Sequence, residues 1–449
     1  MNTTAFSRRQ FIGRSAAATF GAIAFGGLSL RGQPAAPAEQ SAPAKYCPFR
    51  AAGIKPPAGE PDETWWRQVR ARFDLRADRI YLNTGTTGPI PISVREARER
   101  VEHELAEDPG ADTLRLFTHE PPREALAKAV NADADDIILT RSTTEGLNIF
   151  AFGLDLRRGD EVLLGSQEHS AAINPFRELE ERIGIKTVRV ELPVPNALDR
   201  EQIVEAYRRA ITPRSRLVVA SHVTYKSGLA LPIRDLADLA HSRGLLISVD
   251  GAQSFGVLPL DLPALGIDHY AAPGQKWLLA GTGTGFSWIR RDLQPLVRTL
   301  TGWHDPESTR PGAHTARRYE QTGQKNVAGI SGIVEALAFR RLVGPERIET
   351  RIRSLATHLR RGLAEIKPVE IWTPSDPALS AGLTAFTPGG LSPKAVAKAL
   401  QERHLAVRTV ELDGKEALRV STHFFNSPDD VDTLLAHLRD FAGKPALLA

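Results

Sequence analysis

From about residue 80 to residue 290, short runs of apolar and often β-branched residues alternate with stretches in which apolar residues recur every three or four positions. The short runs Ile137–Leu139, Val162–Leu164, Thr187–Val190, Leu217–Ser221, Leu246–Val249, His269–Ala271 and Gly285–Ile289 predict strands, and residues near 144–152, 170–183, 200–211 and 232–243 predict helices. The strands are apolar throughout rather than alternating, as expected of a mainly parallel sheet covered on both faces. Strand and helix in alternation give an α/β doubly wound domain, in which ligands sit at the carboxyl ends of the strands. A long helical stretch over 326–366 then leads into a smaller α+β region. Its strands are expected near Val369–Trp372, Leu383–Phe386 and Leu418–Val420, and its helices near 393–403 and 428–440. The pattern thus divides the body into a large domain over 64–325 and, over 326–449, a connecting helix with a small C-terminal domain.

The amino-terminal part follows another pattern. Ser7-Arg8-Arg9-Gln10-Phe11 precedes an uncharged, Ala/Gly-rich apolar stretch from Ala16 to Leu30, and Ala36-Pro37-Ala38 follows. Paired arginines, a weakly apolar core and a small-residue cleavage site resemble a bacterial twin-arginine export signal, residues 1–38, cut after Ala38. That resemblance implies the twin-arginine machinery as a partner and a periplasmic address. Residues 39–63, rich in Pro and Ala, read as a linker.

Charge changes little in this picture. The chain of 449 residues carries 57 basic and 53 acidic side chains. Its whole excess lies in Arg8, Arg9, Arg14 and Arg31 of the leader, so the body offers no charge argument for nucleic acid or a membrane surface. With 42% hydrophobic and 24% charged residues, a disordered or multi-span chain is excluded. Cys47 is the single cysteine, which removes intramolecular disulfides and multi-cysteine metal sites.

The chemistry gathers where strands end. Lys276 stands in a loop, Gly274-Gln275-Lys276-Trp277, just after the strand at His269. A lysine so placed can be desolvated and made nucleophilic toward a carbonyl, though an isolated lysine is most often a solvated surface group. Asp250 ends the preceding strand, in Ser248-Val249-Asp250-Gly251-Ala252-Gln253. A buried carboxylate requires a cationic partner, and pyridoxal phosphate needs both an Asp for its ring nitrogen and a Lys for its Schiff base. The alternative for Asp250 alone is a helix cap. Arg141-Ser142-Thr143-Thr144-Glu145 follows a strand and opens a helix, an arrangement suited to anions or to simple capping.

Together these motifs resemble the class V aminotransferase family of fold-type I pyridoxal-phosphate enzymes, in its isopenicillin N epimerase-like branch, over nearly all of 64–440. The resemblance implies the covalent lysine at Lys276, the ring-nitrogen partner at Asp250 and a ring-oxygen contact at Gln253. It also implies a stacking imidazole at His169, phosphate ligands at Thr143 and Thr144, and a carboxylate-gripping arginine at Arg419. Asn83, after the strand-like Ile80–Leu82, matches a segment at the substrate entrance. Thr322 matches a loop reaching a neighbouring subunit's phosphate, which implies a homodimer. Three positions depart from the related desulfurases. Pro273 and Gln275 stand where those often have Ser and His, so of this pair only Gln275 can still donate to the phosphate, and that half of the phosphate cup is weakened. Tyr225 stands where they often have Asn, and its hydroxyl can reach the ring oxygen, the alternative being a plain core aromatic. The chain also has no cysteine after Cys47, so the thiol attack of cysteine desulfurases is unavailable. The expected reaction is transamination or epimerisation of an amino acid or amino-bearing peptide, with tailoring of a secreted peptide or siderophore as the setting that the periplasmic address implies. A carbon–sulfur or carbon–carbon lyase is the alternative, and a cofactor-free scaffold the remote one.

Overall fold

The computed structural model describes residue 57 and residues 59–109, 120–194, 198–299, 315–320, 322–323 and 325–444. The expected leader, most of the expected linker, Cys47, Gln321 and Gln324 lie outside the described residues. Helix α1 (Glu63–Arg70) starts at Asp62, whose side chain accepts the Trp65 N–H at 2.8 Å. Strand β1 (Ile80–Tyr81), α2 (Ile92–Glu107) and α3 (Glu120–Ala129) follow.

Next comes the strand–helix alternation: β2 (Ile137–Thr140), α4 (Thr143–Gly153), β3 (Glu161–Gly165), α5 (Ser170–Ile183), β4 (Lys186–Val190), α6 (Arg200–Ala210), β5 (Ser215–Ser221), α7 (Ile233–Ser242), β6 (Leu246–Asp250), β7 (His269–Pro273) and β8 (Gly285–Ile289). Their seven-stranded sheet has the order β2-β8-β7-β6-β5-β3-β4. All neighbours are parallel except where β8 pairs with β2 and β7, so the sheet is mainly parallel as its apolar runs predict. Alternate residues feed two cores. Leu163, Val218, Ile247 and Val249 pack with α6, α7 and later α8, whereas Val162, Leu164, Leu217 and Val219 pack with α4 and α5. Helices therefore cover both faces, the α/β fold expected.

The helical stretch over 326–366 is not one helix. It divides into α8 (Val327–Val343) and α9 (Pro345–Ala364). Gly344 stands between them at φ +98°, and Pro345 supplies no N–H to continue the ladder. The C-terminal part holds β9 (Glu370–Ile371), β10 (Leu383–Thr387), α10 (Pro393–Glu402), β11 (Leu405–Ala406), β12 (Arg408–Leu412), β13 (Lys415–Ser421) and α11 (Pro428–Gly443). Strand β12, unforeseen from the sequence, extends an antiparallel sheet of order β12-β13-β10-β9. The amino-terminal segment joins this region: β1 pairs with β11, and Asn83 bridges to Ser421. No helix among the described residues is long and apolar enough to cross a membrane.

Candidate active site

A cavity of about 230 Å³ opens where the carboxyl ends of β5, β6 and β7 face the small sheet. Asp250 is the last residue of β6 and is 3% exposed. Its Oδ1 accepts the Ala252 N–H at 2.8 Å. Burial raises its pKa, while that backbone bond and the positive Lys276 oppose the rise. The turn after β6 therefore uses Asp250 as a cap and still presents a buried carboxyl to the cavity.

Lys276 lies in the loop that follows β7. The Gly274 N–H donates to the Thr284 carbonyl (2.7 Å) and the Ala280 N–H to the Gly274 carbonyl (2.8 Å), closing the loop on itself. Leu279 within it is held at φ +66°, a conformation that costs a branched L-residue about 1–3 kcal/mol. Burial lowers the Lys276 pKa to about 8, although Asp250 pulls the other way. The Gly88 N–H donates to the Gln275 carbonyl at 2.7 Å, and a Cβ on Gly88 would stand 2.3 Å from the Lys276 carbonyl oxygen. Only glycine lets the amino-terminal segment pass so close to the lysine.

His169 caps α5: its Nδ1 accepts the Ala171 N–H at 3.1 Å, which leaves the proton on Nε2. Burial, followed by the positive Lys276, lowers its pKa to about 4, so the ring is neutral at ordinary pH. It lines the cavity as well as capping the helix, and Tyr225 meets it edge-on with centroids 4.8 Å apart. At the start of α4 the cap is Ser142, whose Oγ accepts the Glu145 N–H. Thr143 and Thr144 line the cavity beside it, so capping and an anion site coexist there.

Gln253 and Gln275 also line the cavity, in different states. The Gln253 side chain is engaged within the protein, donating from Nε2 to the Gly85 carbonyl (2.9 Å) and accepting the Trp277 Nε1–H (2.8 Å). The Gln275 Oε1 is buried without a partner. Across the cavity Arg419 is 2% exposed and donates only to neutral acceptors: Thr86 Oγ1 (2.9 Å), the Tyr225 carbonyl (3.1 Å) and Asn83 Oδ1 (3.3 Å). Burial, with Arg408 nearby, lowers its pKa to about 9. Asn83 thus acts on the site through Arg419. Thr322 is exposed and outside the cavity, its N–H donating to the Glu320 carbonyl at 2.7 Å. Lys226, the other candidate amine, lies outside the cavity lining, 5.8 Å from the Tyr225 ring centroid.

Sequence reasoning missed Ser142, Thr86 and Arg408 as lining residues. Ser142 was within reach, since Ser is a preferred cap one position before the helix. Arg408 was not, because its strand went unrecognised.

The arrangement suits pyridoxal phosphate. Asp250 has no hydrogen-bonded cation among the described residues and so suits the ring nitrogen, while Lys276 offers a desolvated amine. The opening of α4, with its hydroxyls, suits the phosphate region, and Gln275 lines the same cavity with an amide NH2 able to donate. Fold and donor set together define a fold-type I enzyme dependent on that cofactor. Residues 103–434 match the family model "Aminotransferase class-V", and the chain belongs to that family. It is 32% identical over 399 residues to isopenicillin N epimerase of Streptomyces clavuligerus, covering 84% of this chain and 99% of that one. It is 27% identical over 401 residues to a probable cysteine desulfurase of Methanothermobacter thermautotrophicus, covering 84% of this chain and 98% of that one. Among solved structures, a C-DES variant with glycine covalently linked to its PLP cofactor superposes with a TM-score of 0.75 at 27% identity, covering 83% of this chain and 99% of that one.

Proposed function

We propose that this class-V enzyme transaminates or epimerises an amino acid or an amino-bearing peptide. The observation that carries the reading is the meeting of Lys276, Asp250 and Arg419 around one cavity, with no cysteine among its described lining residues. Pyridoxal phosphate, when bound, supplies an electron sink for charge developing at the substrate α-carbon. Asp250 holds a proton at the ring nitrogen, and neutral His169 covers the ring. Ser142, Thr143, Thr144 and Gln275 hold the phosphate. Lys276, with a pKa near 8, moves the α-proton through its Nζ close to neutral pH. Arg419 presents its planar fork to the substrate carboxylate and fixes which bond lies near that amine.

A second reading, a carbon–sulfur lyase, is supported by likeness to the probable cysteine desulfurase. No cysteine follows Cys47, so such a lyase would work without a protein thiol from the body of the chain. Borohydride reduction and peptide mass spectrometry should place a pyridoxyl label on Lys276; a label on Lys226 instead overturns the site. Product analysis separates the reactions: a keto acid with an aminated acceptor, an amino acid of inverted configuration, or released ammonia or thiol.

We further propose twin-arginine export to the periplasm, where the substrate would be a secreted peptide or siderophore. A cofactor acquired in the cytoplasm favours a route that carries folded chains, and Arg8-Arg9 supports that route. Replacing both arginines with lysine should leave active, yellow protein in the cytoplasm; undiminished periplasmic delivery refutes the proposal. We also propose a homodimer in which the exposed Thr322 serves the phosphate of a second copy. Sedimentation of the holoenzyme at the mass of a monomer would refute it.

A further inference from the structure

Arg408 stands directly opposite Arg419 on the neighbouring strand, and both line the cavity. Two cations in this register lie on one face of the sheet with their Cβ atoms about 5 Å apart, a placement that is destabilising by itself. They also converge at their tips. The Arg419 guanidinium donates to Thr86 Oγ1 at 2.9 Å, and that of Arg408 reaches the same oxygen at 3.4 Å. Neither forms an ion pair with a carboxylate among the described residues, whereas Arg189, Arg200, Arg214 and Arg353 each do. Arg419 is sealed within, whereas Arg408 is largely exposed, at the solvent side of the same wall. Among the described residues the cavity's one acidic lining residue, Asp250, ends a strand of the large sheet and is assigned to the ring nitrogen.

From this pairing we infer that the substrate is a free amino diacid, whose second carboxylate is bound by Arg408 while Arg419 holds the α-carboxylate. A single carboxylate satisfies one planar fork and leaves the other cation uncompensated. A second carboxylate on the substrate side chain balances both charges and adds a charge-assisted contact. Discrimination then resides in Arg408, because every amino acid offers an α-carboxylate to Arg419.

The inference rests on the proposed amino-acid chemistry, and its test can fail separately. Holoenzyme is titrated with racemic aspartate, glutamate and 2-aminoadipate, and with racemic 2-aminobutyrate and norvaline. Binding is followed as a change in the cofactor's visible band. Glutarate and butyrate, which lack the amine, are titrated calorimetrically into the apoprotein. At least one diacid should bind about tenfold or more tightly than its monoacid counterpart. Arg408→Gln should abolish that preference while changing monoacid binding far less, and Arg408→Lys should restore part of it. Equal weakening of monoacids and diacids in Arg408→Gln would mean that both arginines share one carboxylate, and no effect on either would mean that Arg408 is a bystander. Either result overturns the inference. Absence of any band shift with every amine, together with no label on Lys276, would instead count against the proposed function.

Discussion

Asp250 and Arg419 carry opposite charges on opposite walls of one cavity, and both are shut away from solvent, at 3% and 2% exposure. Their surroundings differ. Asp250 faces the positive Lys276 and accepts a backbone N–H, so the large-sheet wall already contains both signs. Arg419 has only neutral acceptors and, beside it, a second arginine. One wall is arranged for a ligand that arrives with a cationic ring nitrogen, the other for a ligand that arrives with negative charge. On the function proposed above, the contrast separates two tasks in space: the large sheet would keep the cofactor, and the small sheet would choose the substrate.

Substitutions on the two walls should therefore fail in different ways. Lys276→Ala should lower turnover at least about a thousandfold and remove the borohydride-stable label, while cofactor still binds reversibly through the phosphate region. Retention of the label would displace the lysine from its role. Asp250→Ala should keep the label but weaken cofactor retention about a hundredfold, as measured by dialysis and fluorescence, because a charge-assisted bond is lost. Arg419→Lys should weaken substrate binding about ten- to a hundredfold and leave cofactor absorbance unchanged. An altered cofactor spectrum in that variant would erase the division between the walls. The smallest effect is one of pH. Only the neutral amine attacks a carbonyl, and burial brings the Lys276 pKa down to about 8. Covalent capture of pyridoxal phosphate by the apoprotein should accordingly rise about tenfold between pH 7 and 9 and then level off. An ordinary lysine, with a pKa near 10.4, would keep gaining beyond pH 9.

The two walls were also unequally legible in the sequence. Asp250 ends, and Lys276, His169 and Thr143 follow, largely apolar strands of the large sheet, and such runs are unmistakable because both faces of the sheet are buried. Helix 170–183 was placed to the residue because Gly184, at φ +78°, stops it sharply. The substrate wall lies on short antiparallel strands with mixed exposure. In β12 the run Arg408-Thr409-Val410-Glu411-Leu412 has only Val410 and Leu412 buried, too few to announce a strand. Its pairing with β13, and therefore the meeting of Arg408 with Arg419, is a long-range fact that no local pattern encodes. The break at Gly344-Pro345 was readable from residue chemistry but was outweighed by continuous helical periodicity on either side. Gln253 marks another limit: motif spacing located it, yet nothing local told that its amide would join Gly85 to Trp277.

That link from Gly85 through Gln253 to Trp277, with Gly88 bound to the carbonyl of Gln275, has a consequence for the order of synthesis. The lysine loop is braced by a segment made early, while Arg419, across the cavity, belongs to a strand made near the end. On a ribosome the amino-terminal brace must wait through most of translation before its partners exist, and contacts of such sequence separation form late. A chain interrupted before β13 lacks Arg419 and the Ser421 bridge to Asn83, and so has half of its binding wall missing. Maturation of the pocket is thereby coupled to completion of the polypeptide, and truncated products are left without a finished site in which to act.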